Sequence, residues 1–369
     1  MQRKKIHLIV GARPNFMKMA PLYKQFSKFA DQFQVKLIHT GQHYDERMSK
    51  FFFDDLKLPE PDEYLEVGSG SHGEQTAKIM ERYEAVLVQD KPDLVIVAGD
   101  VNSTIACALD AAKLHIPVAH LEAGLRSFDR SMPEELNRLM TDAISDFLLI
   151  PSRDAELNLL NEGVSKEKIH FVGNIMIDSL IQYKDKAEES NILNELGLVA
   201  DSTITDYVLI TMHRPSNVDT EESLRIILKT FQILSEQIKL VFPIHPRALK
   251  NIRKFGMEDD FRAIANLALI EPVGYYDFMK LQMYSRFILT DSGGIQEEST
   301  YFGIPCLTVR DNTERPITIT EGTNELIELS ETKILEASTK ILKGSFKTGT
   351  IPEKWDGRTA ERIVELFKR

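Results

Sequence analysis

The chain has 369 residues, yet only two cysteines, one tryptophan and no long hydrophobic run. Cys107 falls in a helical stretch, Ser103–Leu114, and Cys306 opens an apolar strand. Both read as small core residues rather than a disulfide. No cysteine–histidine spacing points to zinc, so no metal is expected. No stretch approaches the ~20 apolar residues of a membrane helix. The apolar run after the basic Met1–Lys5 is about five residues, short of the about 7–15 of a signal peptide, so a cytoplasmic protein without a membrane partner is expected. Excess basic charge is also missing. Against 45 Lys and Arg stand 56 Asp and Glu, a net −11, which argues against non-specific nucleic-acid binding. Neither the dinucleotide glycine fingerprint nor the P-loop occurs, which argues against NAD and against an ATP-phosphate cradle.

What the chain does contain is alternation. The length favours two domains. Short Val/Ile/Leu-rich runs suit strands buried on both faces: Ile6–Val10, Gln34–His39, Leu94–Ala98, Val118–Leu121, Phe147–Ile150 and His170–Val172. Helical patterns lie between them, at Lys18–Phe29, Gly73–Gln89, Ser103–Leu114 and Pro133–Ile144. A second βαβ series uses Tyr207–Thr211, Leu240–Pro243, Leu267–Glu271, Phe287–Thr290 and Cys306–Val309. Asp178–Leu196 and Ala200–Asp206 mark the boundary between the series. The closing amphipathic helix, Gly357–Lys368, is expected to pack back on the first domain. The expected class is α/β, with two Rossmann-like domains facing across a cleft: 1–177 with 355–369, and 178–354.

Each apolar run ends in residues that strand formation does not require, and ligands in open parallel sheets bind at those ends. Gly11-Ala12-Arg13 opens a helix that also carries Lys18, a place for an anion or simply a turn with surface cations. His213 and Arg214 follow Thr211, and His245 follows Pro243. They could meet a diphosphate or be structural histidines. Ser292-Gly293-Gly294 exposes backbone N–H groups at a helix start, which suits phosphate. Glu298, about one turn on, could hold a ribose diol. Arg310 and Arg315 follow the next strand. Asp100, Glu122 and Glu134 gather near the ends of the first series. Asp100 could instead cap a helix, and Glu122 could be a structural partner of Arg126 or Arg138. Converging acids of this kind suit proton abstraction beside an amide-bearing carbon.

In this order and spacing, Gly11–Pro21, Gly41-Gln42-His43, Gly99-Asp100, His120–Ser127, Pro133–Arg138, His213-Arg214, Asp291–Glu298 and Arg310–Pro316 resemble the non-hydrolysing UDP-N-acetylglucosamine 2-epimerases over nearly the whole chain. The resemblance implies a glycosyltransferase-B-like fold and a homodimer serving polysaccharide precursors. It implies inversion of carbon 2 of UDP-N-acetylglucosamine by anti elimination of UDP and re-addition, with no cofactor. Asp100, Glu122 and Glu134 become acid/base candidates, and His213 their partner near the diphosphate. Arg13, Lys18, Arg138, His245 and Arg315 become substrate contacts. Ser292, Gly293 and Gly294 form the phosphate turn, Glu298 the ribose acid, and Val273 and Phe278 the uracil contacts. Two departures stand out. Asn15 occupies a position where many members carry Glu. Gln42-His43-Tyr44-Asp45 and Gly68–Gly73 lack the arginine of a regulatory second substrate site, which argues against allosteric activation.

The same departures allow a modified substrate, a UDP-diacetamido-uronic acid. A hydrolysing epimerase that releases N-acetylmannosamine would share the site. A glycosyltransferase of this fold would not need the three acids, nor would a non-catalytic nucleotide-sugar sensor.

Overall fold

The computed structural model describes residues 3–42 and 58–368. The chain divides into two compact units, 1–179 with 353–369, and 180–352. His43, Tyr44 and Asp45 lie outside the described residues.

The first unit is built on a wholly parallel sheet. Its strands are β1 (Lys4–Val10), β2 (Phe33–His39), β3 (Glu63–Tyr64), β4 (Leu94–Ala98), β5 (Val118–Leu121), β6 (Phe147–Ile150) and β7 (Ile169–Phe171). They lie in the order β3-β2-β1-β4-β5-β6-β7. β1 is central, with Ile6 level with Val35 of β2 on one side and Leu94 of β4 on the other. β4 and β5 are buried throughout, as strands covered on both faces must be. Helix His72–Gln89 covers one face through Gln75, Ile79, Tyr83 and Leu87, a four-residue spacing that aligns one side of the helix. The last helix, Thr359–Phe367, also belongs here. Its first N–H groups, of Thr359 and Ala360, donate to the buried Asp178 carboxylate at 3.1 and 2.8 Å. Phe367 meets Phe147 edge-on at 5.1 Å, and the buried Trp355 donates to the Pro151 carbonyl at 3.2 Å.

The second unit begins with a small antiparallel hairpin, β8 (Val199–Ala200) and β9 (Thr203–Ile204). Asp201 and Ser202, both at positive φ, form its turn, the backbone that two-residue hairpins favour. Its main sheet is also parallel: β10 (Tyr207–Thr211), β11 (Lys239–Pro243), β12 (Leu267–Ile270), β13 (Phe287–Thr290), β14 (Cys306–Val309) and β15 (Asn324–Ile327), in the order β12-β11-β10-β13-β14-β15. Helix Glu221–Ser235 starts where Thr220 Oγ1 accepts the Ser223 N–H, and it buries Leu224, Ile227, Leu228, Phe231 and Leu234. Phe231 lies edge-on to both Phe242 and Phe261.

Both units are therefore Rossmann-like, and each has a switch point where strand order reverses, between β1 and β4 and between β10 and β13. Among the described residues no helix is long and apolar enough to cross a membrane. Phe231 is 1% exposed at the centre of its cluster. Phe231→Ala should cost about 3–5 kcal/mol, read as an earlier urea transition for the second unit.

Candidate active site

In the first unit the candidates Lys18 and Glu122, and Asp100 and Arg138, pair at the strand ends beside the switch point. Helix Arg13–Ser27 starts just beyond β1. Asn15 fixes that start: its Oδ1 accepts the Ala12 N–H at 3.1 Å and its Nδ2 donates to the Ala98 carbonyl at 2.9 Å. A glutamate could not make the second bond, because a carboxylate has no proton to give. Arg13 occupies the first turn. Lys18, one turn on, is buried and its Nζ lies 2.5 Å from Glu122 Oε2. Glu122 is 3% exposed and follows β5 with φ +68°, a conformation uncommon outside glycine. Gly99, after β4, lies beside the pair at φ +68°. A Cβ there would stand 2.9 Å from Lys18 Nζ, so glycine answers both the backbone and the space.

Asp100 does not cap the helix that follows it. The cap position is Val101, and Asp100 Oδ2 instead takes the Arg138 guanidinium. Arg138 is buried and also binds Glu135 Oε2 at 2.7 Å. Glu135 accepts the Ser127 and Phe128 N–H groups at 3.0 and 2.9 Å. Burial pushes its carboxyl up, but those donors and Arg138 hold it below the usual range. Its neighbour Glu134 is exposed on the first turn of helix Pro133–Ile144. Arg126 binds the buried Asp142 and also Glu162, Arg138 binds Asp100 and Glu135, and it is Lys18 that meets Glu122.

In the second unit the groups collect at the β10/β13 switch point. Asp291, wholly buried after β13, binds His213 Nδ1 at 2.9 Å, the His213 and Arg214 N–H groups at 2.9 and 2.8 Å, and Asn217 Nδ2 at 3.1 Å. Burial raises the Asp291 carboxyl, but His213 and the backbone donors hold it below its ordinary 3.8. The His213 ring is 38% exposed, so it is fixed from behind and open in front. The His245 ring lies 5.4 Å from it. His245 Nδ1 accepts the Arg247 N–H at 3.1 Å and caps the next helix. Burial and the neighbouring His213 lower its pKa.

Ser292 occupies the N-cap position of helix Gly293–Phe302 without a side-chain capping bond. A Cβ on Gly293 would lie 2.7 Å from Glu314 Oε1 and 3.4 Å from Arg315 Nη1, so glycine lets the 310–316 loop close on the helix start. Gly294 completes that turn. Arg315 Nε binds Glu297 at 2.8 Å, and Arg310 binds Glu314 at 2.9 Å. Burial, together with Arg214 and Arg315 nearby, pushes the Arg310 pKa down. Three guanidiniums and a helix N-terminus thus share one place, an anion site by charge and geometry. Deeper in that helix, Glu298 takes the Gln282 amide at 2.5 Å. Val273 and Phe278, half-buried beyond β12, pack on the apolar cluster beneath β10, β11 and β13. Among the described residues no group of His, Cys, Asp and Glu is placed to hold a metal ion.

Sequence reasoning underrated Asp291, Glu135, Arg214 and Asp142. Asp291 carried a usable signal, since a carboxylate ending an apolar strand needs several donors. Glu135 carried none, because adjacent glutamates on a helix start look alike until one face is buried.

A family model described as UDP-N-acetylglucosamine 2-epimerase matches residues 27–368. The UDP-N-acetylglucosamine 2-epimerase of Methanocaldococcus jannaschii is 43% identical over 367 residues, covering 98% of each chain. A crystal structure of M. jannaschii UDP-GlcNAc 2-epimerase in complex with UDP-GlcNAc and UDP has a TM-score of 0.88 at 42% identity, covering 99% of each chain. The UDP-2,3-diacetamido-2,3-dideoxy-D-glucuronate 2-epimerase of Pseudomonas aeruginosa is 39% identical over 369 residues, covering 99% of each chain.

The Asp291 geometry has a pH signature. With the folded pKa below the ordinary 3.8, its stabilisation is complete above the unfolded value and is lost as pH falls through the folded one. Asp291→Asn should weaken folding at neutral pH by about 1–3 kcal/mol and flatten this acid limb, read from urea midpoints between about pH 6 and 2.

Proposed function

The chain belongs to the UDP-N-acetylglucosamine 2-epimerase family, and we propose that it interconverts UDP-N-acetylglucosamine and UDP-N-acetylmannosamine by elimination and re-addition of UDP. The observation that carries this reading is the pair of acids at the first switch point, Glu122 on Lys18 and Asp100 on Arg138. Each acid contacts a buried cation at the end of a parallel strand, where a carboxyl is placed to exchange a proton with a bound sugar.

The chemistry follows in two balanced steps. A carboxylate takes the proton from carbon 2, the electrons form the bond between carbons 1 and 2, and the bond from carbon 1 to the UDP oxygen breaks. The products are a 2-acetamidoglucal and UDP. In reverse sense, a UDP oxygen attacks carbon 1, the double-bond electrons pass to carbon 2, and a carboxyl in its protonated form gives its proton to carbon 2 from the other face and becomes a carboxylate. Asp100, Glu122 and Glu134 are the acid/base set. Free UDP carries more negative charge than the sugar ester, so cations aimed at the diphosphate favour the transition state. Arg315, His213, Arg13 and the Ser292-Gly293-Gly294 turn fill that role, and Arg214 and Arg310 reinforce it. Glu298 accepts the ribose hydroxyls, and Val273 and Phe278 flank the uracil. Two buried free thiols accord with a cytoplasmic enzyme.

A second reading has a specific support. The Pseudomonas diacetamido-glucuronate enzyme is nearly as similar as the Methanocaldococcus one, 39% against 43% identity.

Proton NMR in deuterated water should show UDP-N-acetylmannosamine carrying deuterium at carbon 2, without added NAD or metal. Binding without turnover would favour the uronic-acid substrate, and accumulation of free N-acetylmannosamine with UDP would mean hydrolysis. Glu122→Gln should lower turnover about 10²–10⁴-fold and change UDP affinity little. A variant that keeps near-full activity removes Glu122 from the mechanism.

A further inference from the structure

Helix Pro133–Ile144 carries a second buried anchor one turn beyond Arg138. Asp142 is 3% exposed and cannot reach a substrate. Its Oδ1 accepts from His120 Nδ1 at 2.6 Å, and its Oδ2 accepts the Gly124 N–H at 3.0 Å and Arg126 Nη1 at 2.7 Å. Arg126, 2% exposed, also grips Glu162 with two bonds of 2.8 and 2.7 Å. His120 is completely buried, and its Nε2 lies 2.8 Å from the Gly99 carbonyl. Residues 120, 124 and 126 therefore converge on one carboxylate, and between them stands Glu122 in its left-handed conformation. Backbone of that kind is strained and persists only where the surroundings over-determine it.

Resting on the function proposed above, we infer that Asp142 and His120 are positioning residues for epimerisation. Asp142 holds the Glu122 turn in shape, and His120 ties that turn to the Gly99–Asp100 turn. Arg138 and Asp142 lie four residues apart, on one buried side of one helix. That side thus sets both acids: Asp100 directly, through Arg138, and Glu122 through the hydrogen bonds of its flanking residues. The burial of Asp142 raises its carboxyl, but His120 and Arg126 outweigh this and keep it ionised. Neither residue touches the reacting atoms, so their effect belongs to turnover and not to nucleotide binding.

The test uses the full-length enzyme with three variants. Asp142→Asn removes the charge at nearly constant volume. His120→Asn keeps a donor at the Nδ1 position toward Asp142 and gives up the Gly99 link. His120→Gln keeps a donor at the Nε2 position and gives up the Asp142 link. For each, the number of UDP sites per chain is measured by calorimetry, and kcat and KM for UDP-N-acetylglucosamine are measured per UDP site. A kcat lower by about 10–100-fold, with KM and UDP affinity within about threefold of the unsubstituted enzyme, is the expected result. A loss confined to the count of UDP sites, with kcat per site unchanged, overturns the inference and leaves a role in folding alone. If Asp142→Asn does not fold, the two His120 variants decide by the same criterion. The unsubstituted enzyme is measured first. If it binds UDP and neither epimerises nor exchanges the carbon 2 hydrogen, the functional reading falls and this inference falls with it. If it turns over and the variants match it per site, only the positioning role falls.

Discussion

The Lys18–Glu122 ion pair is the contact around which the first unit's strand ends are arranged. A carboxylate taken out of water is costly unless a cation and hydrogen bonds compensate. At 3% exposure Glu122 needs such a partner, and Lys18 Nζ at 2.5 Å supplies it. The pairing constrains the chain on both sides. Helix Arg13–Ser27 has to begin immediately after β1 so that Lys18 points back across the sheet end, and Asn15 anchors that start to β4. Position 99 favours glycine through its φ of +68°, and a Cβ there would also press on the lysine ammonium. The turn after β5 has to adopt a left-handed residue at 122. Three strand ends meet one electrostatic requirement, and two of them, those of β1 and β4, flank the Rossmann switch point.

The second unit solves the opposite problem. An anion site needs concentrated positive charge, yet unbalanced buried guanidiniums are as costly as buried acids. Arg310 and Arg315 are therefore held by Glu314 and Glu297. That balance leaves the helix start at Ser292–Gly294 beside an ordered cationic loop. The whole chain carries −11, so the affinity for a diphosphate has to be local. His213 follows the same logic: Asp291 fixes one ring nitrogen from inside the fold, and the rest of the ring stays open to solvent.

Much of this was legible in the sequence, for definite reasons. Strands buried on both faces appear as short apolar runs, and Leu94–Ala98, Val118–Leu121, Phe287–Thr290 and Cys306–Val309 have the limits that those runs suggested. The short edge pieces, Glu63–Tyr64 and Asn324–Ile327, were not legible. They are brief and partly polar, and pairing with a neighbour makes them strands. The helix-forming stretch Asp178–Leu196 is interrupted at Ser190, whose hydroxyl bonds Asp277, a tertiary choice that propensity does not encode. In the site, residue type and strand-end position found Glu122 and Asp100, but pairing was invisible. Arg126 and Arg138 were as plausible as Lys18 for Glu122, and only the fold assigns Arg126 to Asp142 and Glu162, and Arg138 to Asp100 and Glu135. Asp142 sits within a helix pattern and gives no sign of its burial.

In the proposed reaction the groups of the two units would have different tasks, and that difference favours epimerisation over simple glycosyl transfer. Groups that neutralise a departing UDP would serve either reaction, so the anion site in the second unit does not discriminate. Proton abstraction at carbon 2 requires a base, and a carboxylate placed at a strand end is one candidate for it. The first unit commits two buried cations, Lys18 and Arg138, to two such carboxylates, and it commits a third carboxylate, Asp142, to the turn that bears one of them. A transferase would gain nothing from that investment in buried charge. The same reasoning places the choice between N-acetylglucosamine and a diacetamido-uronic acid in the first unit. The uracil, ribose and diphosphate are common to both substrates, so the second unit's groups meet the same chemistry in each case. A uronic carboxylate would add a negative charge that the acids of the first unit oppose unless a cation is reserved for it. Lys18 and Arg138 are already engaged with Glu122 and Asp100. Each of those two ion pairs is neutral as a whole, so neither adds attraction for a uronic carboxylate.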